Sequence, residues 1–99
     1  MAQIRSIARK VRSKNAGPFW LTVDIFCGSD DAFERISSGL KTSAVADRFG
    51  VNGQTIKRFE IAELNVVKIS LPRPVVQGSG ADRDMHGASF SNLIAELEI

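Results

Sequence analysis

The segment that most restricts the fold is residues 19–27, FWLTVDIFC, in which Asp24 is the one charged residue. Every second residue from Phe19 to Ile25 is apolar, which places these side chains on one face of an extended chain. Aromatic and β-branched residues also favour strands. We therefore expect a core built on a β-sheet that contains this segment.

Length and composition limit the class of protein. A chain of 99 residues supplies one hydrophobic core, so residues 1–99 are expected to form a single domain. No apolar run approaches the roughly 18 residues of a membrane span, and residues 1–15 lack the apolar centre of a signal peptide. Cys27 has no cysteine to pair with, which fits a reducing compartment, and we interpret it as a small core residue. The prediction is a cytoplasmic protein without membrane association.

Two short helices are predicted after this strand. Ser29 or Asp30 can cap the first one, and Gly39 interrupts it. A second helix, capped by Thr42 or Ser43, ends at Gly50.

Residues 56–71 change to the period of strands. Two strands are predicted, at about residues 56–61 and 67–71, with a tight antiparallel hairpin between them. The spacing of residues 90–99 predicts a short helix, from about Gly87, that runs into a last strand. This order is that of an α+β protein, a ferredoxin-like split βαβ sandwich with a mainly antiparallel sheet and an amino-terminal addition.

The amino-terminal addition is basic. Apolar residues within residues 4–11 have the spacing of a short amphipathic helix. Five cations precede the first acid, Asp24, whereas the last eighteen residues carry four acids against Arg83. We expect the two ends of the chain to face each other.

The principal candidate site is the basic junction at residues 12–19, RSKNAGPF, which leads into the first predicted strand. Cations and exposed turn amides suit a phosphate or carboxylate group, so we predict an anionic ligand or a partner here. A solvated charged surface is the alternative. The predicted binding residues are Arg12, Ser13, Lys14, Asn15 and Gly17.

A second candidate loop contains Asp82, Asp84 and His86. An extended backbone would direct these side chains to one side, where two carboxylates and an imidazole can hold a divalent metal. No fourth ligand is evident, and carboxylates that cap the following helix are the simpler interpretation. We therefore predict no metal and no cofactor, and a small independent enzyme or metal-binding protein stays as an alternative.

Residues 42–58 offer a different alternative. A glycine at position 50 and the Thr-Ile-x-Arg run that ends at Arg58 resemble a helix-turn-helix, which would make the protein a DNA-binding regulator. Gly53 would weaken the recognition helix, and residues 56–61 have the pattern of a strand. Nucleic acid is therefore not expected as a partner, and a strand at residues 56–61 would exclude this alternative.

Several motifs together resemble a known family. They are VRSKNAGPF at residues 11–19, TVDI at 22–25, LPRP at 71–74, GSG at 78–80, D-x-D-x-x-G-A at 82–88 and the terminal LEI. This combination resembles a family of small stand-alone bacterial proteins of unknown function. That family is similar to the AtuA-like ferredoxin-fold domain, which follows the large domain of acyclic terpene utilisation proteins.

The resemblance implies a mode of action without a known reaction. It implies an accessory subunit or ligand-binding module that acts with a larger AtuA-like protein in the catabolism of isoprenoid or branched acyl compounds. Whether the chain is itself an enzyme is left open. A non-catalytic subunit or one part of a composite site is favoured over an independent enzyme, because no paired nucleophile and base are evident. An exposed edge strand also makes a homodimer compatible with this fold.

Overall fold

The computed structural model describes residues 2–73 and 90–99, and all structural statements below concern these residues. They form four helices, four strands and two 3-10 turns. None of these helices is long and apolar enough to cross a lipid bilayer. The elements are α1 (Ile4–Ile7), β1 (Lys10–Asn15), β2 (Trp20–Phe26), α2 (Asp30–Gly39), α3 (Thr42–Phe49), a turn at Gly53–Thr55, β3 (Lys57–Ile61), a turn at Ala62–Leu64, β4 (Val66–Pro72) and α4 (Ser91–Ala95).

The four strands form one sheet in the order β1-β2-β4-β3, with every neighbouring pair antiparallel. Since β4 lies antiparallel between β2 and β3, these two strands run in the same direction, and α2 and α3 lie in the connection between them. The predicted α+β class and antiparallel sheet are confirmed.

The prediction of a helix through residues 4–11 is wrong beyond Ile7. The chain turns there and enters β1, which pairs with β2 from Lys10, opposite Phe26, to Asn15, opposite Leu21. The Arg9 amide extends this ladder by donating to the Phe26 carbonyl at 2.9 Å. A regular ladder satisfies more backbone groups than one further turn on a short isolated helix would, so the non-local pairing prevails.

The prediction that a last strand joins the sheet is also wrong. Glu98 forms only an isolated bridge with Gln3, and the place beside β2 is occupied by β1. Ala2 and Ile99 exchange two backbone hydrogen bonds, of 3.1 and 2.9 Å. Arg5 lies 3.1 Å from Glu96, so the prediction that the two ends face each other is confirmed.

The core lies between one face of the sheet and the helices. Cys27 belongs to it and is 3% exposed, as predicted for a small core residue. The predicted buried stripe of β2 is confirmed from Leu21 to Ile25, whereas Phe19 lies outside the strand and is 60% exposed. The largest fully buried side chains are Ile4, Leu21, Val23, Ile25, Ile36, Leu40, Val45, Val67, Ile69, Leu71 and Ile94.

The helix boundaries follow local chemistry. The Ser29 hydroxyl accepts a hydrogen bond from the Ala32 amide at 3.1 Å, which confirms the predicted cap of α2. Gly50 ends α3 in a left-handed conformation, with φ of 68°, as a glycine after a helix commonly does. No side chain caps the start of α3, so the cap predicted at Thr42 or Ser43 is not formed.

Candidate functional site

The strand β1 separates the predicted binding residues into two groups. Arg12 and Lys14 are exposed, whereas Ser13 and Asn15 are half-buried. This alternation follows from the strand, in which successive side chains point to opposite faces of the sheet. The five predicted residues are therefore close in sequence but do not form one cluster.

Ser13 and Asn15 face the helices and hold the carboxyl-terminal part of the fold. The Ser13 hydroxyl accepts a hydrogen bond from the Ser91 amide, at the start of α4, at 2.8 Å. The Asn15 side-chain oxygen accepts one from the guanidinium of Arg73 at 2.7 Å. Arg73 is 7% exposed, and its guanidinium carbon lies 5.3 Å from the centre of the Phe90 ring. These hydrogen bonds of Ser13 and Asn15 thus stabilise the fold.

Gly17 lies in the turn between β1 and β2, with φ of 85°. The Ala16 amide donates to the Trp20 carbonyl at 2.9 Å, and the Arg73 amide donates to the Phe19 carbonyl at 2.8 Å. These bonds fix both sides of the turn. An anion-binding role for the turn amides stays a prediction.

Replacing Gly17 by alanine is expected to lower the free energy of unfolding by about 1 kcal/mol, because a left-handed conformation strains a residue with a Cβ atom. A Cβ atom there would contact no atom within 4 Å outside the adjacent residues, so the cost is one of backbone alone. Gly53→Ala is the matched control, since its Cβ atom would lie an ordinary 3.6 Å from Ala46 and no positive φ is imposed. Urea denaturation measures both, and equal effects would contradict the assignment.

The side of the sheet that faces away from the core carries a large polar and aromatic surface, which we call the open face. Its residues are identified by the register, since directly opposed residues share a face. Arg12, for example, is opposite Asp24, which in turn is opposite Lys68. The open face comprises Lys10, Arg12, Lys14, Trp20, Thr22, Asp24, Phe26, Lys57, Phe59, Ile61, Val66, Lys68, Ser70 and Pro72, of which Thr22 and Val66 are buried by their neighbours.

The open face is strongly positive. It carries five cations and one carboxylate, Asp24, although the whole chain has a net charge of only +2. The ion pairs among described residues lie elsewhere, and none of them involves a cation of the open face. Those five cations are Lys10, Arg12, Lys14, Lys57 and Lys68.

Aromatic rings lie between these cations. Trp20 is 37% exposed and Phe59 is 50% exposed. The ammonium of Lys57 lies 5.8 Å from the centre of the Trp20 ring, and that of Lys10 lies 5.8 Å from the centre of the Phe26 ring. Such contacts attract a cation to the π-face of the ring. The open face therefore offers both positive charge and apolar area.

A shallow cavity of about 270 Å³ opens between β1 and β2. Three of the predicted binding residues, Arg12, Ser13 and Lys14, line one side of it. Asp24 and Phe26 line the other. The two cations can receive a carboxylate or a phosphate group, and the Asp24 carboxylate can accept a hydrogen bond from a hydroxyl or amide. The cavity thus suits a mixed polar group rather than a purely anionic one.

The described residues contain little that suits catalysis. No group of three or more His, Cys, Asp or Glu side chains within residues 2–73 and 90–99 is arranged to hold a metal ion. Burial raises the pKa of the Cys27 thiol, in spite of an opposing hydrogen bond with the Val67 backbone, which disfavours the nucleophilic thiolate. The second candidate loop, with Asp82, Asp84 and His86, lies outside the described residues.

The helix-turn-helix interpretation is wrong. The proposed recognition helix is instead a 3-10 turn at Gly53–Thr55 followed by the strand β3. Arg58, expected to approach DNA, faces α2, where its guanidinium donates to the carbonyls of Ser37, at 2.7 Å, and Leu40. It also pairs with Glu60 at 3.0 Å.

Sequence reasoning did not identify Phe59 and Lys68 as part of a candidate site, and it included Lys57 only in the helix-turn-helix alternative. They lie 45 or more positions after Arg12 in the sequence and join it only through the register of the sheet. A usable signal was present, because the residues that alternate with the buried positions of a strand must share its other face. Applying that rule to every strand would have assembled this surface.

Residues 4–98 match the family described as a domain of unknown function, DUF4387. No curated protein and no solved structure matches the chain.

Proposed function

This chain belongs to the DUF4387 family of domains of unknown function, and we propose that it is a binding subunit that docks on a larger protein through its open face. The partner surface is acidic, with apolar groups that cover the exposed rings. The sequence resemblance described above makes an AtuA-like protein the candidate partner, with a role in the catabolism of isoprenoid or branched acyl compounds.

The observation that carries the proposal is the group of five cations that form no ion pair with a described residue. Neighbouring like charges on one surface repel one another, and an acidic partner relieves that repulsion as it binds. Complementary charges of this kind accelerate association and exclude wrong partners. Trp20 and Phe59 add apolar area, and aromatic residues are enriched at the centres of protein interfaces.

The carboxylate of Asp24 favours a protein partner over a nucleic acid. It lies among the cations, opposite both Arg12 and Lys68, where it would repel a chain of phosphates. A protein surface can present donors to Asp24 and carboxylates to its neighbours. The cavity beside Arg12 and Lys14 has room for one such side chain.

Reversing two charges tests the proposal. In the double variant Arg12→Glu and Lys14→Glu, association with an AtuA-like protein is expected to weaken about a hundredfold, because like charges then oppose across the interface. Isothermal titration calorimetry at low and high salt measures the effect. The matched control, Arg35→Glu with Lys41→Glu, changes two exposed cations in or beside α2 and is expected to bind as the wild type does.

Three results would overturn the proposal. Separate elution of the two wild-type proteins at all concentrations would exclude the AtuA-like partner. Equal binding by both double variants would exclude the open face as the docking surface. Salt-sensitive binding of single-stranded RNA, with no binding to the protein, would assign the face to nucleic acid instead.

A further inference from the structure

The strand β3 forms a border of the sheet, since its one ladder partner among the described strands is β4. Lys57, Phe59 and Glu60 are exposed there. The outer backbone groups of a border strand can pair with another strand, which makes such a strand a site of association. The sequence of β3, KRFEI, indicates which strand could pair with it.

The sequence of β3 is complementary to itself. When two copies pair antiparallel about Phe59, each Phe59 lies opposite Phe59 of the second copy. Arg58 then lies opposite Glu60 of that copy, and Lys57 lies opposite Ile61. Arg58 and Glu60 already pair within each chain, so this register adds opposite charges beside each pair and sets no like charges opposite each other. Aromatic pairs and opposite-charge pairs are both favourable in directly opposed positions.

Other registers are less favourable. Moving the centre to Arg58 places two arginines opposite each other, and moving it to Glu60 places two carboxylates opposite each other. Like charges in opposed positions destabilise a sheet. A shift that pairs Phe59 with Arg58 would place the helices of the two copies on opposite sides of the joined sheet, because directly opposed residues must share a face. The register centred on Phe59 is therefore selected.

We propose that the protein forms a two-fold homodimer in which β3 pairs antiparallel with β3 of a second copy. The two sheets then continue into one another, and the two-fold axis runs perpendicular to them at Phe59. Both open faces lie on the same side of the joined sheet, and both helical layers lie on the other. The dimer thus presents a doubled basic and aromatic surface, and this inference does not depend on the identity of the larger partner.

The expected dimer is concentration-dependent. A single pair of five-residue strands forms a small interface, of the kind found in weak or transient complexes. Apolar burial comes chiefly from Phe59, which is half exposed in the monomer. The measurement must therefore follow the equilibrium over a range of protein concentrations.

Sedimentation velocity over a concentration series tests the dimer. The variant Phe59→Lys places two ammonium groups opposite each other, and we expect its dimer dissociation constant to rise at least about tenfold. Phe19→Lys is the control, because it makes the same change at an exposed position outside β3, and it is expected to match the wild type. A wild type that is monomeric throughout, or an unchanged Phe59→Lys equilibrium, would overturn the proposal.

Disulfide trapping tests the register independently. Thiols introduced by Phe59→Cys face each other at the axis, and directly opposed residues are close enough for a disulfide. Under mild oxidation we therefore expect a covalent dimer. In the control Lys57→Cys, the two introduced thiols belong to residues roughly 14 Å apart along the strands and should not link. Equal cross-linking of both variants, or none for Phe59→Cys, would contradict the proposed pairing. Cross-linking of the wild type measures the background from the buried Cys27.

Discussion

Replacing Arg58 by alanine is expected to lower the free energy of unfolding by about 2–4 kcal/mol, because hydrogen bonds from a charged group are among the stronger ones. The guanidinium donates to the carbonyls of Ser37, at 2.7 Å, and Leu40, at the end of α2. These are carbonyls that a helix end leaves without an internal partner. A cation there also complements the helix dipole. Only 18% of the Arg58 side chain is exposed, so water cannot fully replace it.

Two further variants distinguish the hydrogen bonds of the Arg58 guanidinium from a general effect of positive charge on stability. Arg58→Lys is expected to recover only part of the lost stability, because an ammonium cannot reproduce the forked geometry of a guanidinium. Arg35→Ala removes an exposed cation from the same helix and should change stability by no more than about 0.5 kcal/mol. Urea denaturation followed by circular dichroism compares them. Equal stability of Arg58→Ala and Arg35→Ala would contradict the assigned role.

The strands after residue 19 were predictable because their patterns are local. In β2 and β4, apolar residues such as Val23 and Ile69 alternate with polar ones, and this period itself indicates one buried face. Gly50 and Ser29 marked helix boundaries for equally local reasons, a left-handed terminus and a side-chain cap. Neither signal depends on what lies elsewhere in the chain.

The two ends of the chain could not be predicted in the same way. Residues 10–15 have a weak pattern that is compatible with a helix or a strand, and the choice is made by β2, which offers a complete ladder to β1. Once β1 occupies that place, the carboxyl-terminal residues cannot pair there. Their apolar groups are buried by α4 instead, with Ile94 in the core.

Only part of the candidate site could be predicted, again because the rest depends on non-local pairing. The charges of Arg12 and Lys14 identified these two residues as candidates. Ser13 and Asn15 were grouped with them because the junction was interpreted as a turn. In a strand these residues alternate between two faces. Lys57 and Lys68 join Arg12 and Lys14 only through non-local pairing, which a single sequence does not display.

Phe59 belongs both to the open face and to the proposed dimer axis. Each proposal therefore needs a variant that affects only the surface concerned. Arg12→Glu with Lys14→Glu changes β1, on the opposite border of the sheet from β3, and should leave dimerisation intact. Phe59→Lys should weaken the dimer while it adds a further cation to the open face. Loss of partner binding in the first variant without loss of the dimer would show that the two surfaces act separately.

Replacing Ile94 by alanine is expected to lower the free energy of unfolding by about 2–5 kcal/mol, since it removes buried methyl groups and leaves a cavity. Ile94 is fully buried in α4, and a helix of five residues depends on such burial because it is too short to be stable alone. The hydrogen bond between the Ser91 amide and Ser13 should weaken with it, so hydrogen exchange of α4 should accelerate more than that of β4. Ile94→Val is expected to cost about 0.5–1.5 kcal/mol. Leu64→Ala, at a position that is 68% exposed, serves as the surface control, and a similar loss of stability in it and in Ile94→Ala would contradict the docking of α4 on the core.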